Sequence, residues 1–264
     1  MLEIENSVAV ITGGSGGIGY ALAKYWLKNG GKVVVADVAE EMLTEAEENL
    51  KRISDEVISI KCDVTREADC VNLARFAIDS FKQINLVAPF AGITDDGLMI
   101  NVDRHTGKVS GKMSFSQFQK VIDINLTGVF LTVRECVEQM VNHKCKGLIS
   151  LISSTGALGT AGQINYSSSK AAMSVMPKVL TAEFFRRGLA DRIRCMAVAP
   201  GYVGTHMVKN MDENILHKIL EQVPINRLVE PEEVISMVAE LYRNEAMAGE
   251  TVFIHGGLRL GSKG

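Results

Sequence analysis

The sequence has no long run of apolar residues. No stretch reaches the roughly 18 consecutive apolar residues that a membrane-spanning helix needs. The amino terminus, MLEIENS, is acidic and lacks the basic and apolar regions of a secretion signal. We therefore expect no contact with a membrane and a soluble, cytoplasmic protein.

Cysteine and histidine are scarce, with five of each in 264 residues. The cysteines are odd in number, scattered and without a CxxC pair, which favours free thiols in a reducing compartment over a disulfide framework. The histidines show neither HExxH nor another metal-ligand spacing. The sequence therefore predicts no metal site.

Excess charge is also absent, since the formal net charge is only −3. This balance gives no electrostatic footprint for nucleic acid and favours a small-molecule partner. No Pro/Ser-rich linker or charged block divides the chain, so we predict one domain over residues 1–264.

Glycine, in contrast, is concentrated near the amino terminus. The apolar run Val8–Ile11 is typical of a strand buried in a parallel sheet. Five glycines follow within seven residues, then a helix-compatible stretch, a stop signal at Asn29–Gly31 and a second apolar strand at Lys32–Ala36. Together they predict a βαβ unit. The glycines are Gly13, Gly14, Gly16, Gly17 and Gly19.

This unit suits a dinucleotide, because free N–H groups and the positive end of a helix dipole meet at the turn. Asp37 lies 18 residues after Gly19. In a dinucleotide-binding unit, a carboxylate at about this distance binds the adenosine ribose diol and repels a 2′-phosphate. We favour an NAD site over NADP, a mere packing turn or a methyltransferase nucleotide site. The turn residues predicted to bind NAD are Gly13, Ser15, Gly16, Gly17, Ile18 and Gly19.

Alternating helices and strands continue, and this predicts a doubly wound α/β fold. At the end of the third strand, Asp63-Val64 either contacts adenine or caps a helix starting near Thr65. A polar excursion over Thr94–Lys112 has the composition of a hairpin with its tip at residues 103–108. The other predicted elements are helices Glu40–Arg52, Leu73–Phe81 and Phe115–Met140 and strands Val57–Cys62, Ile84–Val87, Gly147–Ile152 and Thr251–Ile254.

Three polar residues suggest the chemistry. Tyr166 and Lys170 lie at i and i+4 of a predicted helix, so they share one face, and a lysine cation there lowers the tyrosine pKa. Tyr166 then exchanges a proton with an alcohol or carbonyl, whose oxygen Ser153 orients. Asn125, in an apolar helix, either bonds a neighbouring backbone or takes part in the site.

At these residues the chain resembles the short-chain dehydrogenase/reductase family over nearly its whole length. TGxxxGxG corresponds to Thr12, Gly13, Gly17 and Gly19, and YxxxK to Tyr166 and Lys170. The family serine, the helix asparagine, the PG turn and the threonine that follows it fall on Ser153, Asn125, Pro200-Gly201 and Thr205. GQINYSSSKAA, APGYVGTHM and QVPINRL are most similar to 3-oxoacyl-[acyl-carrier-protein] reductases.

The resemblance implies a Rossmann-like parallel sheet of about seven strands, with a cofactor half at about 1–150 and a catalytic half at about 151–264. Tyr166 is then the acid/base, Ser153 the partner of the substrate oxygen, Lys170 the ligand of the nicotinamide ribose and Asn125 the holder of a relay water. Further implied cofactor contacts are Asp63, Val64, Ala91, Gly92, Tyr166, Pro200, Gly201, Val203 and Thr205.

Three departures are evident, and one of them is Pro177, which lies inside the helix that starts near Tyr166, removes one backbone bond and should bend that helix. Pro89-Phe90-Ala91-Gly92 replaces NNAG, so an aromatic ring stands in place of an amide that braces the sheet. The 94–112 excursion is longer than usual for the family. By resemblance, Tyr202–Arg227 forms a substrate lid.

The implied partners are an alcohol or ketone, or acyl carrier protein, and further copies of the chain in a homotetramer built on helices 115–140 and 163–187. Lys144 and Arg187 fall where the carrier-protein reductases have basic docking residues; alternatively they only complement helix ends. The alternative functions are a sugar or polyol dehydrogenase and a non-catalytic NAD-sensing protein.

Overall fold

A computed structural model describes residues 1–205, 216–217 and 220–258. The strands are β1 (Val8–Thr12), β2 (Lys32–Asp37), β3 (Val57–Lys61), β4 (Leu86–Pro89), β5 (Ile100–Val102), β6 (Val109–Lys112), β7 (Gly147–Ile152), β8 (Ile193–Pro200) and β9 (Thr251–Ile254). The α-helices are α1 (Gly17–Lys28), α2 (Glu40–Lys51), α3 (Glu67–Phe81), α4 (Phe115–Ile122), α5 (Gly128–Asn142), α6 (Ile164–Arg186) and α7 (Pro231–Arg243).

Seven of these strands form one parallel sheet in the order β3-β2-β1-β4-β7-β8-β9. Residues of α3, α5 and α6 form the core on one face, and residues of α1, α2 and α7 form the core on the other. Successive residues of β1 alternate between the two cores, which explains its uninterrupted apolar sequence. The predicted doubly wound fold is confirmed.

The sheet topology determines where a ligand can bind. The strand order reverses between β1 and β4, because the chain builds outward from β1 to β3 and then returns to the other side of β1. At such a switch point the loops after neighbouring strands separate and leave a crevice at the carboxyl edge. Thr12, Pro89, Ile152 and Pro200 end four adjacent strands at this edge.

The helix predicted over Phe115–Met140 is interrupted. It consists of α4, a π-helical turn at Asp123–Thr127, and α5. Asn125 lies inside the π turn, where its amide binds the backbone of the loop after β4. Apolar periodicity does not reveal one extra residue in a turn, and the prediction of a continuous helix was wrong for this reason.

Two boundaries and one helix also differ from the sequence predictions. Helix α3 starts at Glu67, and the Asp63 carboxylate accepts bonds from the Thr65 backbone and hydroxyl before the helix begins, so it does not cap α3. Pro89 pairs with Thr12 as the last residue of β4. Helix α7, which was not predicted, begins with a capping box between Glu230 and Glu233.

The excursion is a hairpin, as predicted. Strands β5 and β6 pair antiparallel, with a register shift between Asn101 and Val102. The Asp103 carboxylate accepts bonds from the backbone N–H groups of His105 and Thr106, which closes the tip. Within the part of the chain that the structure describes, no helix is long and apolar enough to cross a membrane.

Candidate active site

The glycine turn after β1 is too tightly packed for other residues. Gly13 has φ +66°, and a Cβ there would lie 2.8 Å from the Ala91 backbone. A Cβ on Gly19 would lie 2.3 Å from the Gly13 carbonyl oxygen. The N-cap of α1 is Gly16, which contributes no side chain to the orphan N–H groups of the first turn. These N–H groups form a cradle suited to a pyrophosphate.

Asp37 lies beside this turn at the end of β2. Its Oδ2 accepts a hydrogen bond from Ser15 Oγ at 2.6 Å, and its Oδ1 accepts one from Val38 N at 2.8 Å. The carboxylate is thus oriented next to the turn. Among the described residues, no lysine or arginine lines the small pocket here; its lining is Ser15, Gly16, Tyr20, Met42, Glu45, Ala46 and Asn49.

The loop after β8 approaches the same turn from the other side. A Cβ on Gly17 would lie 3.6 Å from Thr205 Cγ2. Thr205 N donates to Val203 O at 2.7 Å, and Val203 is buried. The loop begins at Gly201, whose N–H donates to Ile254 O in β9. Residues almost 190 positions apart in the sequence therefore meet at the crevice.

The segment after β4 joins the glycine turn to the catalytic residues. Ala91 N donates to Thr12 Oγ1 at 3.3 Å. A Cβ on Gly92 would lie 3.3 Å from Asn125 Oδ1 and 3.8 Å from Lys170 Nζ. Phe90, which replaces the family amide, packs its ring against the core that contains α1, α2 and α7.

Asp63 and Val64 lie at the end of β3. The Asp63 carboxylate closes the turn at Thr65, as described above. Val64 is buried, and its side chain packs against Gly128 at the start of α5. Their predicted contact with adenine stays a prediction.

Tyr166 and Lys170 occupy the first two turns of α6. Lys170 is 6% exposed, and its Nζ lies 5.6 Å from the centroid of the Tyr166 ring. The ammonium donates to Ile152 O at the end of β7 at 3.0 Å. The i, i+4 spacing therefore places the cation against the ring, as the sequence indicates.

The side-chain amide of Asn125 forms hydrogen bonds with the loop after β4. Its Oδ1 accepts from Ile93 N at 2.8 Å, and its Nδ2 donates to Ile93 O at 2.9 Å. The side chain is fully buried, and Nδ2 also approaches Ser169 Oγ at 3.4 Å. Of the two roles left open by the sequence, backbone bonding is observed. The bonds between the Asn125 amide and Ile93 also hold the neighbouring Gly92 beside Lys170.

The Ser153 hydroxyl points toward α6. Its Oγ donates to Lys170 O at 2.7 Å and lies 2.9 Å from Ser174 Oγ. The side chain is only 3% exposed. Ser153 must turn away from the Lys170 carbonyl before it can donate to a substrate oxygen.

The electrostatics of Tyr166 differ from the sequence prediction. Burial raises the pKa of Tyr166, and the Asp96 carboxylate raises this pKa further. The Ser154 side chain has the opposite effect on the pKa. Burial also lowers the pKa of Lys170 to about 8. The expected lowering of the tyrosine pKa by lysine is not found, because burial disfavours the charged tyrosinate and is the largest influence on the Tyr166 pKa.

Sequence reasoning missed the contribution of Asp96. Its Oδ2 accepts from Gln163 Nε2 at 2.8 Å, and Gly97 N donates to Gly162 O at 2.7 Å. These bonds attach the base of the β5–β6 hairpin to the loop before Tyr166. The acidic pair Asp95-Asp96 close after β4 was the signal that could have indicated this.

In the folded chain, Lys144 and Arg187 lie far from the candidate catalytic residues. They follow α5 and α6 directly and precede β7 and β8, so they lie at the amino edge of the sheet. At 1.5 Å per residue, α6 alone separates Tyr166 from Arg187 by about 30 Å. Within a single chain, these two residues therefore do not flank the active-site mouth.

The predicted lid lies partly outside the described residues, which omit 206–215 and 218–219. After them, Val223 and Ile225 approach Gly256, which follows β9.

Comparisons with known proteins agree with this architecture. A family model for short chain dehydrogenase matches residues 7–216. The chain is 33% identical over 260 residues to a 3-oxoacyl-[acyl-carrier-protein] reductase of Rickettsia typhi, with 98% of this chain and 99% of the relative covered. It is 32% identical over 266 residues to the corresponding reductase of Synechocystis sp., with coverage of 98% and 99%.

Among solved structures, a short-chain dehydrogenase/reductase, glucose/ribitol dehydrogenase, from Brucella melitensis superposes with a TM-score of 0.85 and 27% sequence identity. The superposition covers 97% of this chain and 98% of that chain.

Proposed function

We propose a function from the premise that this chain belongs to the short-chain dehydrogenase family and is an oxidoreductase enzyme. It transfers a hydride between NAD(H) and a secondary alcohol or ketone, and its leading substrate class is a 3-oxoacyl thioester on acyl carrier protein. The observation that carries the proposal is the convergence of Tyr166, Lys170 and Asn125 beside the glycine turn.

The residues present fit a nicotinamide dinucleotide. The N–H groups at the start of α1 bind the pyrophosphate, and Asp37 binds the adenosine ribose diol. Lys170 binds the nicotinamide ribose, and the loop at Val203 and Thr205 binds the carboxamide. When bound, the nicotinamide supplies or accepts the hydride at its C4.

Residues of the chain itself transfer the proton to and from the substrate oxygen. During reduction Tyr166 donates its phenolic proton to the substrate oxygen, and Ser153 donates a hydrogen bond to the same oxygen after leaving the Lys170 carbonyl. The Ser154 side chain, which lowers the Tyr166 pKa, stabilises the resulting tyrosinate. Asn125 holds the loop of Ile93 in position and binds the water through which Tyr166 is reprotonated.

The cofactor preference can be tested at Asp37. We expect wild-type kcat/KM to favour NADH over NADPH by at least about tenfold, because the carboxylate repels a 2′-phosphate. Asp37→Ala should narrow this ratio by a similar factor. Glu45→Ala, which removes a carboxylate from the small pocket beside the glycine turn, is the matched control and should leave the ratio nearly unchanged. Equal use of both cofactors by the wild type would overturn the NAD proposal.

A second candidate substrate class is a sugar or polyol, which is favoured by the similarity to the Brucella melitensis structure. A substrate panel with NADH or NAD⁺ distinguishes the two classes by absorbance of the reduced nicotinamide. Reduction of 3-oxoacyl N-acetylcysteamine thioesters supports the thioester class, and oxidation of ribitol alone supports the second. NADH binding without turnover of either class would leave the NAD-sensing alternative.

We also propose a homotetramer and a cytoplasmic location. An apolar groove between α5 and α6 contains Val175 and Val179, which are 58% and 48% exposed. Apolar area of this kind is typical of a protein interface. All five cysteines are free thiols, as suits a reducing compartment.

A further inference from the structure

The β5–β6 hairpin stands at the mouth of the candidate active site. Two hydrogen bonds, Gly97 N to Gly162 O and Gln163 Nε2 to Asp96 Oδ2, attach its base to the loop before Tyr166. A third, Met113 N to Met99 O, closes the hairpin at its base. The hairpin is therefore anchored beside the loop that leads to Tyr166.

The hairpin has a charge opposite to that of the whole protein. Residues 98–112 contain Arg104, Lys108, Lys112 and Asp103, a net charge of 3 − 1 = +2, in a chain with a net charge of −3. The three cations are exposed and have no ion pair within the described part of the chain. The one carboxylate is engaged by the backbone of the tip. The cations are thus available to a partner.

One face of the hairpin is also apolar. Val102 and Val109 lie opposite each other across the strands and are 54% and 63% exposed. Ile100, on the same side of β5, lies opposite Lys112. An exposed β-branched pair flanked by unpaired cations is typical of a protein contact, with an apolar centre and a charged rim.

We propose that the β5–β6 hairpin is the docking surface for an acidic protein that carries the acyl substrate. This inference rests on the proposed function, since it assigns the recognition of acyl carrier protein to this element. The cations attract the acidic surface of the carrier, and Val102 and Val109 contact its apolar side chains. The carrier is then held beside the mouth through which its thioester reaches Tyr166.

The test compares two forms of one substrate. The variant Arg104→Glu/Lys108→Glu/Lys112→Glu is assayed with a 3-oxoacyl group on acyl carrier protein and with the same group on N-acetylcysteamine. We expect KM to rise at least about tenfold for the carrier form at low salt, with kcat/KM for the small thioester unchanged. Because salt screens such contacts, the difference should shrink as ionic strength rises above about 0.1 M.

The matched control is Lys28→Glu/Arg52→Glu/Arg75→Glu, which makes the same charge change at exposed positions on α1, directly after α2 and on α3. An equal rise in KM for this control would overturn the proposal, as would an equal effect of the hairpin variant on both substrates. Val102→Ser/Val109→Ser tests the apolar pair, and thermal melts verify that each variant is folded. If the charge variant instead changes the mass of the assembly, the hairpin is an interface between copies and the proposal is wrong.

Binding of fluorescently labelled carrier protein, measured by anisotropy, separates this inference from the proposed function. If the wild type reduces both thioesters but the hairpin variant binds the carrier as tightly as the wild type, only the docking proposal fails. If the wild type reduces neither thioester, the proposed substrate class fails. In that case the docking proposal is tested by carrier binding alone, and binding that does not depend on the hairpin cations would contradict it.

Discussion

The phenol of Tyr166 is the group on which the proposed chemistry depends, because it exchanges the proton with the substrate oxygen. We expect Tyr166→Phe to lower kcat by at least about a thousandfold while the Kd for NADH changes little, since only the hydroxyl is lost. Stopped-flow turnover and fluorescence titration with NADH measure the two quantities. Tyr25→Phe, on α1, is the control, and wild-type turnover by Tyr166→Phe would refute the assignment.

Two neighbours shift the Tyr166 pKa in opposite directions. Asp96 raises it, so Asp96→Asn should move the pH profile of alcohol oxidation to lower pH, because the tyrosinate base forms earlier. The Ser154 side chain lowers it, so Ser154→Ala should move the profile to higher pH. Asp95→Asn retains the oxygen that binds Gln117 and serves as the control. Shifts of the same sign in both variants would contradict this account.

The buried Lys170 makes stability depend on pH. Its pKa is about 8 in the folded protein, against 10.5 ordinarily, so between these values the unfolded chain binds the extra proton. The stability of the wild type relative to Lys170→Met should therefore rise from pH 8 to pH 10.5, by on the order of 1–3 kcal/mol. Urea unfolding at several pH values measures this difference. A constant difference would show that the folded-state pKa is not depressed.

At the scale of the element, α7 depends on its amino-terminal cap. Glu233 accepts from Glu230 N at 2.9 Å and pairs with Arg227, which lowers the Glu233 pKa to about 2. Glu233→Ala should cost about 1 kcal/mol at neutral pH. A lowered carboxyl pKa contributes stability above its unfolded value, so the cost should vanish as pH falls from about 4.5 toward 2. Glu232→Ala is the neighbouring control in chemical denaturation.

The elements that were predicted well share strong local signals. Strands β7 and β9 begin and end at the predicted residues, because continuous apolar runs between polar flanks define buried strands. Helix α7 was missed although Glu230-Pro231 and Glu233 form a readable start signal. The π turn at Asn125 has no such signal, since its cause is the amide bond to Ile93.

At the scale of the molecule, β1–β4 and β7–β9 come from the two halves of the sequence yet pair in one sheet, and we propose that the chain folds as one domain.

The groove between α5 and α6 is the surface on which the proposed tetramer depends. Val175→Glu/Val179→Glu should dissociate the assembly, because two buried carboxylates are costly to desolvate. Light scattering measures the mass, and Ala182→Glu, exposed on α6 outside the groove, is the control. An unchanged mass would place the interface elsewhere.

The sequence by itself determined the family, the doubly wound α/β fold class and the identity of the glycine turn and the Tyr166–Lys170 pair. Those features depend on short spacings, where helical geometry and the steric freedom of glycine link residues to neighbours a few positions away. Only the tertiary structure decided the remaining contacts. Asn125 clamps Ile93, Asp96 acts on Tyr166, and the basic ends of α5 and α6 lie far from the site. Each of these depends on which distant segments pack together, and no local spacing encodes that.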